Sequence, residues 1–378
     1  MPATACIAST LMADPPLRGV RILSLAEQYP GPYASMLLAD LGAEVILVER
    51  PQGGDPSRRF SGLFSALNRN KQSITLDLKS ELGREQFLQL VDTADVVMEG
   101  FRPGVMARLK IDAETLRQRK PELIYVAISS FGQHGPWSGI AGHDLSIQAA
   151  LGMLQSTPGQ ESRKDVPMLP MADISSGIFA ALGIVTALFS RAKTARGHTL
   201  DISMLDSLVS WMTPILTPPM NQLPLRDLPP LDPGYGIFST KDGRQLTLSI
   251  AGEDSMWSDL CQLVGLHDLA SLKEDARSAL VLKIDPVLRE AIRRWRYDDL
   301  YAELERLRIA FGPVLGLAEA LDNPQLEARK IVQEFTEGDR TQRYITQPIL
   351  FDGSHFKLER GVPGLGQHNH DVLKAPRQ

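Results

Sequence analysis

The stretch that decides the fold is VRILSLAEQYPGPYASMLLADLGAEVILVE, residues 20–49. Its first part, Val20–Leu25, is rich in β-branched residues and leucine, and its last part, Glu44–Glu49, has the composition of a second buried strand. Between them lies a helical stretch, Ser35–Leu41, with a proline before it and a glycine after it. Strand, helix and strand in this order form a βαβ unit, which implies a parallel sheet with a right-handed crossover.

The alternation of strand and helix continues through the first half of the chain. The predicted elements are strands at Ser73–Leu78, Asp95–Glu99, Leu123–Ser130 and His198–Ser203, a helix at Ser80–Val91 with Ser80 as its N-cap, and a long helix at Ile174–Ala192. The long helix is apolar on all sides and rich in glycine and alanine, which is typical of a helix inside a protein. This repetition predicts a doubly wound, Rossmann-like α/β domain.

The second half of the chain has a different composition. Seven prolines fall between residues 214 and 233, and the segment predicts an extended linker that is neither helix nor central strand. Two strand-like runs flank Lys241–Arg244, and the Asp-Gly pair within it predicts a hairpin. We therefore expect a large domain over 17–213, a linker over 214–234, a smaller α+β domain over 235–330 and a return segment over 331–378. The strand-like Tyr344–Phe351 and the rest of 340–378 are expected to complete the large domain.

Length, charge and cysteine content exclude several classes of protein. The chain has 378 residues, with 40 Lys and Arg against 45 Asp and Glu, so the net charge of −5 argues against a general nucleic-acid binder. Two cysteines, Cys6 and Cys261, predict free thiols rather than a disulfide framework. Residues 1–17 contain no Lys or Arg and read as a loose leader, and the longest apolar run, Ile178–Phe189, is too short to span a bilayer. These features predict a cytoplasmic protein without a membrane partner.

Strong short motifs are absent from the sequence. There is no GxxxxGK[ST], no GxGxxG after the first strand, no HExxH and no GxSxG. His355, His368 and His370 lie near the end of the chain, where histidines are more often solvated than metal-bound, so no metal site is predicted.

Basic residues gather at predicted loops of the α/β part. They are Arg50, Arg58 and Arg59 after the second strand, Arg69 and Lys71 before the third, and Arg102 and Arg108 after the fourth. Ligands of open α/β sheets bind outside the carboxyl ends of the strands, where such cations pair with phosphates. Taken alone, the pattern favours an ordinary solvated surface over a phosphate site.

The acid–base candidates are His143, Asp144 and Asp173. Each lies in an apolar context flanked by turns, and Asp173 falls at the start of the long predicted helix. An N-cap is the ordinary explanation of such an aspartate, and a hydrogen-bonded imidazole is the ordinary explanation of such a histidine. The residues by themselves favour these structural roles.

Several strings together resemble one family, the class III CoA-transferase and α-methylacyl-CoA racemase superfamily of the CaiB/BaiF type. The resemblance runs from about Leu17 to Leu373 and depends on the order and spacing of the strings. They are GP at 31–32, LGAEV at 41–45, VERP at 48–51, GD at 54–55, NRNK at 68–71, FRPG at 101–104, FGQHGP at 131–136, GHD at 142–144, AD at 172–173 and PGLGQH at 363–368.

The resemblance implies a fold, a set of ligands and an assembly. It implies a Rossmann-like large domain built from both chain ends, a small domain between linkers, and a homodimer of two interlocked chains. It also implies CoA thioesters and a carboxylic acid acceptor as substrates, with no permanently bound cofactor. By matching positions, Arg50, Lys71, Arg102 and Arg108 would lie near the CoA phosphates.

The resemblance also implies two possible chemistries at Asp173. In the transferases this aspartate attacks an acyl-CoA to form a mixed anhydride, which CoA converts to an aspartyl-CoA thioester. In the racemases it shares proton transfer at the α-carbon with a histidine, which matches His143, and Glu253 falls near a further acidic position. Asp144 and Glu253 are assigned to the substrate-binding set.

The residues around Asp173 resemble the transferases. We therefore predict an acyl-CoA transferase with Asp173 as nucleophile. The alternatives are an α-methylacyl-CoA racemase that uses His143 and Asp173, and a non-catalytic CoA-binding protein.

Overall fold

The structure, a computed structural model, describes residues 14–154, 166–224 and 231–374. The chain divides into two compact units. The first unit runs to Pro214 and resumes at Glu327, and the second is Ile215–Leu326. Cys6 and most of the predicted leader lie outside the described residues.

The elements follow the chain in a regular alternation over its first half. The strands are β1 (Arg21–Ser24), β2 (Glu44–Glu49), β3 (Lys71–Thr75), β4 (Val96–Glu99), β5 (Ile124–Ser129), β6 (Thr199–Ser203), β7 (Tyr235–Ser239), β8 (Gln245–Ser249), β9 (Phe311–Pro313), β10 (Val332–Glu337) and β11 (Arg340–Ile345). The helices up to the unit boundary are α1 (Pro30–Asp40), α2 (Ser61–Leu67), α3 (Glu81–Val91), α4 (Val105–Arg108), α5 (Ala113–Arg119), α6 (Asp144–Ala150), α7 (Met171–Thr194), α8 (Met204–Trp211) and α9 (Thr213–Met220). The later helices are α10 (Asp254–Val264), α11 (Glu274–Ala279), α12 (Val281–Arg293), α13 (Tyr297–Leu307), α14 (Leu317–Leu321), α15 (Pro324–Ala328) and α16 (Asn369–Leu373), and short 3₁₀ turns occupy Pro56–Arg59 and His267–Leu269.

The first unit is built on a six-stranded sheet in the order β3-β2-β1-β4-β5-β6. Every neighbouring pair in this sheet is parallel. The strand order reverses between β1 and β4, which is the point where doubly wound sheets bind their ligands. The α/β prediction is confirmed, with a third strand that begins two residues earlier than expected.

Successive side chains of the central strands point to opposite faces of the sheet and pack into two separate apolar layers, because side chains alternate along a strand. Ile22 and Val96 face the layer that contains α1 and α7, whereas Leu23 and Val97 face the layer that contains α3. Both faces of the sheet are therefore covered, which explains why the strands read as continuous apolar runs. Ser80 accepts a hydrogen bond from the Gly83 N–H and caps α3 as predicted.

Helix α7 is buried on one face only within this chain. Its small residues pack against the sheet and α1, but Ile178, Leu182, Val185 and Phe189 are 37, 57, 39 and 64% exposed. These four residues recur every three or four positions and form one stripe, the α7 stripe. The expectation of burial on all sides is therefore wrong for the single chain, because apolar composition does not say which surface covers it. By length and composition α7 is also the one described helix that meets the requirement for a membrane span, a test that core helices pass as well.

The proline-rich segment contains a helix, which corrects the prediction of an extended linker. Helix α9 includes Pro214, Pro218 and Pro219. Pro214 lies in the first turn, where its missing N–H has no helical partner, whereas Pro218 and Pro219 cannot donate to the carbonyls four residues earlier, and the helix ends directly after them at Met220. The later part of the segment, residues 225–230, lies outside the described residues.

The end of the chain docks on the edge strand β3. An antiparallel hairpin of β10 and β11 precedes it, so the predicted strand at Tyr344–Phe351 starts earlier and ends at Ile345. The closing PGLGQH string then reaches β3, where the Ser73 N–H donates to His368 Nδ1 and Gly366 N–H donates to Ser73 Oγ. His368 thus has a structural partner in the sheet.

The second unit is a small α+β assembly. Strands β7, β8 and β9 form an antiparallel sheet, and the predicted hairpin at Lys241–Arg244 joins β7 to β8. Trp257 and Leu260 lie at the centre of its apolar core. Cys261 is a free, buried thiol whose pKa burial raises to about 12.

Candidate active site

Asp173 occupies the first turn of α7 and is partly buried. Burial raises the pKa of its carboxyl group to about 7, and the charge of Asp144 adds to this shift. No cation among the described residues offsets these effects. A carboxylate that is buried without a countercharge is expensive to maintain, and such groups concentrate at functional sites.

Asp144 caps the helix that carries Asp173. Pro170 precedes α7 and provides no side-chain cap. The Asp144 carboxylate takes that place from the neighbouring helix α6, since its Oδ1 accepts the Ala172 N–H at 2.7 Å and the Asp173 N–H at 3.4 Å. The sequence assigned Asp144 to substrate binding, and the structure shows that it binds the backbone of α7.

His143 immediately precedes α6 and is exposed. Its side chain makes no capping hydrogen bond, so the ordinary structural explanation does not apply to it in the described residues. The hydrogen bonds between Asp144 and the backbone of α7 hold the N-terminus of α6 against the N-terminus of α7. His143 lies at the first of these helix ends and Asp173 at the second. Both predicted catalytic residues therefore lie at neighbouring helix N-termini.

Tyr29 is a site residue that sequence reasoning missed. A methyl group placed on Gly177 would lie 2.9 Å from the Pro30 carbonyl oxygen, so α7 approaches α1 closely at this point. Asp173 lies four residues before Gly177 and shares its helix face. Burial raises the pKa of Tyr29, and the nearby Tyr33 phenol and the Asp173 and Asp144 carboxylates raise it further. The available signal was the position of Tyr29 in the turn after β1, at the carboxyl edge of the sheet.

Three of the predicted phosphate ligands lie exposed at that same edge. Arg50 follows β2, and Arg102 and Arg108 belong to the loop and short helix after β4. None of these guanidinium groups forms an ion pair with a described residue. Arg50 Nε donates to the Gly54 carbonyl at 2.8 Å, so its terminal nitrogens and the guanidinium groups of Arg102 and Arg108 are available for an anionic ligand outside the carboxyl ends of the strands.

The loop that carries Arg102 is held at its base by Glu99. The last residue of β4, Glu99, accepts the Phe101 N–H at 2.7 Å, and Tyr125 donates its hydroxyl to the same carboxyl group. Burial raises the pKa of Glu99 to about 7. Gly104 then begins α4 with a φ of 84°, a conformation that favours glycine and turns the chain toward Arg108.

Lys71 is a correction to the predicted phosphate set. Its side chain is 1% exposed, and Nζ donates to the Pro32 carbonyl at 2.8 Å and to Asn68 Oδ1 at 2.9 Å. Burial lowers the pKa of Lys71 well below its usual value. The amine thus fastens the start of α1 and does not reach a ligand, because β3 begins at residue 71 and points it into the protein.

Two further cations of the predicted basic cluster are also committed within the protein. Arg58 binds Glu49 at 2.7 Å, and Arg69 binds Asp40 at 2.5 Å in a fully buried pair. The sequence could not distinguish these two ion-paired arginines from the exposed Arg50, since all three are basic and lie close to strand ends.

Glu253 lies in the second unit, at the start of α10. It is exposed, and its carboxylate accepts the Ala251 N–H at 2.7 Å. Its assignment to substrate binding stays a prediction. Among the described residues, no group of three or more His, Cys, Asp or Glu could hold a metal ion.

Comparisons with known proteins identify the family. The model of CoA-transferase family III matches residues 17–369. The succinate–glutarate CoA-transferase of Agrobacterium fabrum is 31% identical over 95% of both chains, and the succinyl-CoA:mesaconate CoA-transferase of Haloarcula hispanica is 32% identical over 93% of this chain and 92% of its own. A solved CaiB/BaiF family protein from Brucella suis superposes with a TM-score of 0.80 at 30% identity, covering 95% of this chain and 98% of that one. With the sheet topology, these matches show that the chain belongs to CoA-transferase family III, whose members are enzymes that act on CoA thioesters.

Proposed function

We propose that this enzyme moves CoA between carboxylic acids through covalent intermediates on Asp173. The observation that carries the proposal is a partly buried carboxylate without a countercharge at the N-terminus of α7. The names of the relatives, which include CoA-transferases for succinate, glutarate and mesaconate, support the transfer chemistry.

The first half of the cycle removes CoA from the donor. The Asp173 carboxylate attacks the thioester carbonyl of the acyl-CoA, the C–S bond breaks, and a mixed anhydride and CoA thiolate result. The thiolate then attacks the aspartyl carbonyl of the anhydride, the donor acid leaves as a carboxylate, and an aspartyl-CoA thioester remains. One unfavourable exchange is thereby divided into steps of acyl transfer.

The second half repeats these steps in reverse order. The acceptor carboxylate attacks the aspartyl thioester carbonyl and displaces CoA thiolate, which forms an anhydride between Asp173 and the acceptor. The thiolate attacks the acceptor's carbonyl, so the acyl-CoA product forms and the aspartate carboxylate returns. Every step exchanges one anionic leaving group for another, and no net proton or electron is required.

The start of α7 suits this chemistry for an electrostatic reason. Asp173 lies at the positive end of a 24-residue helix, and that end stabilises both the carboxylate and the oxyanions that develop when a carbonyl is attacked. Burial opposes ionisation, and its effect prevails, since the pKa is raised to about 7. A carboxylate of raised pKa is more basic than an exposed one and is a stronger nucleophile.

We assign the CoA phosphates to Arg50, Arg102 and Arg108. CoA carries phosphate charges that guanidinium groups bind with two parallel hydrogen bonds. The three side chains are exposed and form no ion pair with a described residue, whereas Lys71 is buried. For the transferred acid, the relatives' names favour short dicarboxylic acids as the first to test.

A racemase remains the second candidate function. The supporting observation is His143, which is exposed and makes no capping hydrogen bond, so its imidazole is free to move a proton. In that reaction His143 and Asp173 would serve opposite faces of an α-carbon. Exchange of the α-proton of an acyl-CoA in D₂O, without any acceptor acid, would identify this activity.

We also propose a homodimer in which the α7 stripe contacts the second chain. Four apolar side chains on one helix face are exposed in the single chain, and such a surface marks an interaction site. The resemblance to the family favours an interlocked arrangement. Light scattering should give about twice the chain mass for the native protein, and Leu182→Glu should shift it toward a monomer; a native monomer would contradict the proposal.

The decisive experiment for the mechanism is to trap the acyl-enzyme. The enzyme is mixed with a panel of acyl-CoA donors in D₂O and quenched with hydroxylamine, and mass spectrometry is used to locate the modified residue. A hydroxamate on Asp173 that requires acyl-CoA supports the transferase. Deuterium uptake without any modification of Asp173 supports the racemase instead.

A further inference from the structure

Gln148 is a fully buried amide between the helices that form the site. It lies in the second turn of α6, four residues after Asp144, and its side chain is 0% exposed. A buried amide must find partners for its two N–H groups and its oxygen, or the protein pays a free energy penalty. The contacts of this side chain therefore show what holds it.

Both contacts come from the amide nitrogen. Gln148 Nε2 donates to Asp144 Oδ2 at 2.6 Å and to the Leu169 carbonyl at 3.3 Å. The first contact reaches the oxygen of Asp144 that does not cap α7, and the second reaches the segment just before α7 begins. The amide thus joins the cap of α7 to the chain that leads into it.

The amide oxygen shows that this orientation is imposed. Gln148 Oε1 is buried and has no hydrogen-bond partner among the described residues. Rotating the amide by half a turn would place this oxygen against the Asp144 carboxylate and the Leu169 carbonyl, and acceptors repel acceptors. The side chain is therefore held in the single orientation that donates to both groups, although one polar atom stays unsatisfied.

We propose that Gln148 is a positioning residue of the transfer reaction: it fixes the Asp144 carboxylate beneath the N-terminus of α7 and so fixes the place and the charge environment of Asp173. The inference rests on the proposed role of Asp173 as nucleophile. Gln148 acts only through Asp144, which binds the backbone N–H groups of Ala172 and Asp173.

The position of Asp144 matters for reactivity as well as for geometry. Its charge adds to the burial that raises the pKa of Asp173, and both carboxylates also raise the pKa of Tyr29, the titratable group that faces them from the α1 side. His143 adjoins Asp144 on its own element. If Asp144 loses the Gln148 donor and turns away from α7, its influence on Asp173 weakens. The pKa of Asp173 then falls, and the acid limb of the rate profile moves to lower pH.

The test compares the same substitution at two buried glutamines of the first unit. Gln148→Leu removes both donors, whereas Gln347→Leu changes a side chain that is 3% exposed and bonds to Ile349. We expect Gln148→Leu to lower kcat at least about tenfold, to change KM for acyl-CoA by less than about twofold, and to shift the acid limb of kcat/KM to lower pH. Gln347→Leu should leave kcat and the acid limb unchanged.

A second variant keeps the proposal testable if Gln148→Leu does not fold. Asp144→Asn opposes two donor groups across the same contact and removes the charge, so it should give the same loss in kcat and the same shift of the acid limb. A rise in KM alone would make Asp144 a substrate ligand and overturn the proposal. So would a wild-type acid limb in either variant.

Single-turnover acylation distinguishes failure of the proposed nucleophile Asp173 from failure of the proposed positioning role of Gln148. If the native enzyme forms no Asp173 adduct with acyl-CoA, the proposed function itself fails, whatever the variants do. If the native adduct forms and the Gln148→Leu enzyme forms it at the same rate, the nucleophile stands and the positioning role of Gln148 is wrong.

Discussion

Each unit of the molecule buries an aspartate, and the two are treated in opposite ways. In the second unit, Asp232 is buried against Arg277, whose guanidinium binds it at 2.8 Å and also binds Asp254 at 2.6 Å. In the first unit, Asp173 is partly buried with no cation, and its pKa rises to about 7. The same side chain is a structural group where its charge is neutralised, and it is the proposed nucleophile where its charge is not.

The largest expected effect follows from removing the unneutralised carboxylate. Asp173→Asn should lower CoA transfer at least about 10³-fold, because the covalent route is lost. It should also raise the free energy of unfolding at pH 8 by about 2–4 kcal/mol, since the folded state no longer holds a carboxylate whose pKa is raised. Initial rates and thermal melts measure both effects. An Asp173→Asn variant that stays active would show that Asp173 is not the nucleophile, and its difference from the structural Asp232 would lose its functional meaning.

The matching change in the second unit should act on stability alone. Arg277→Leu leaves Asp232 buried without its partner, and we expect a loss of about 3–5 kcal/mol in the free energy of unfolding. Denaturant unfolding, followed by tryptophan fluorescence to which Trp257 in the same core contributes, reports it. An unchanged midpoint would show that the ion pair is not what stabilises this unit.

The pH dependence sharpens the same comparison. Asp173 must be ionised to attack, so kcat/KM should rise with pH up to about 7 and fall about tenfold for each unit below it. The free energy of unfolding should change in the opposite direction. Because the pKa of Asp173 is higher in the folded state than its unfolded value near 4, its protonation stabilises the folded protein at pH below 4. This contribution is lost as the pH rises toward 7. Rates and melting temperatures between pH 4 and 8 test both signs, and a flat rate profile would argue against an ionising nucleophile.

The smallest expected effect concerns the exposed Arg50 and the buried Lys71. Arg50→Ala should raise KM for acyl-CoA about tenfold and weaken its dependence on salt, with little change in stability. Lys71→Met should instead lower the melting temperature and leave KM for acyl-CoA nearly unchanged. The reason is that the Pro32 carbonyl and the Asn68 side chain lose the donor they share. Steady-state kinetics at two salt concentrations, with a thermal melt of each variant, separate the two roles.

Much of the fold could be predicted because its signal is local. The period of two in strands such as β1 and β4, the βαβ order at residues 20–49 and the Ser80 cap each depend on neighbours in the chain. The helix α9 and the strand β10 were missed for the opposite reason. The many prolines between residues 214 and 233 led to the prediction of an extended linker, although a short helix forms at the start of that segment. The strand β10 is short and polar, and its sequence has no recognisable strand pattern without its partner β11.

The sequence by itself determined the family, the parallel α/β sheet and the two candidate groups His143 and Asp173, since these depend on the identity and order of residues along the chain. Only the tertiary structure decided which basic side chains are exposed and without ion pairs among the described residues, which carboxylate caps α7, and that Tyr29 and Gln148 lie near Asp144. Those properties depend on burial and on hydrogen bonds between residues far apart in sequence. The desolvation of a charge and the direction of a donor exist only once the chain has packed.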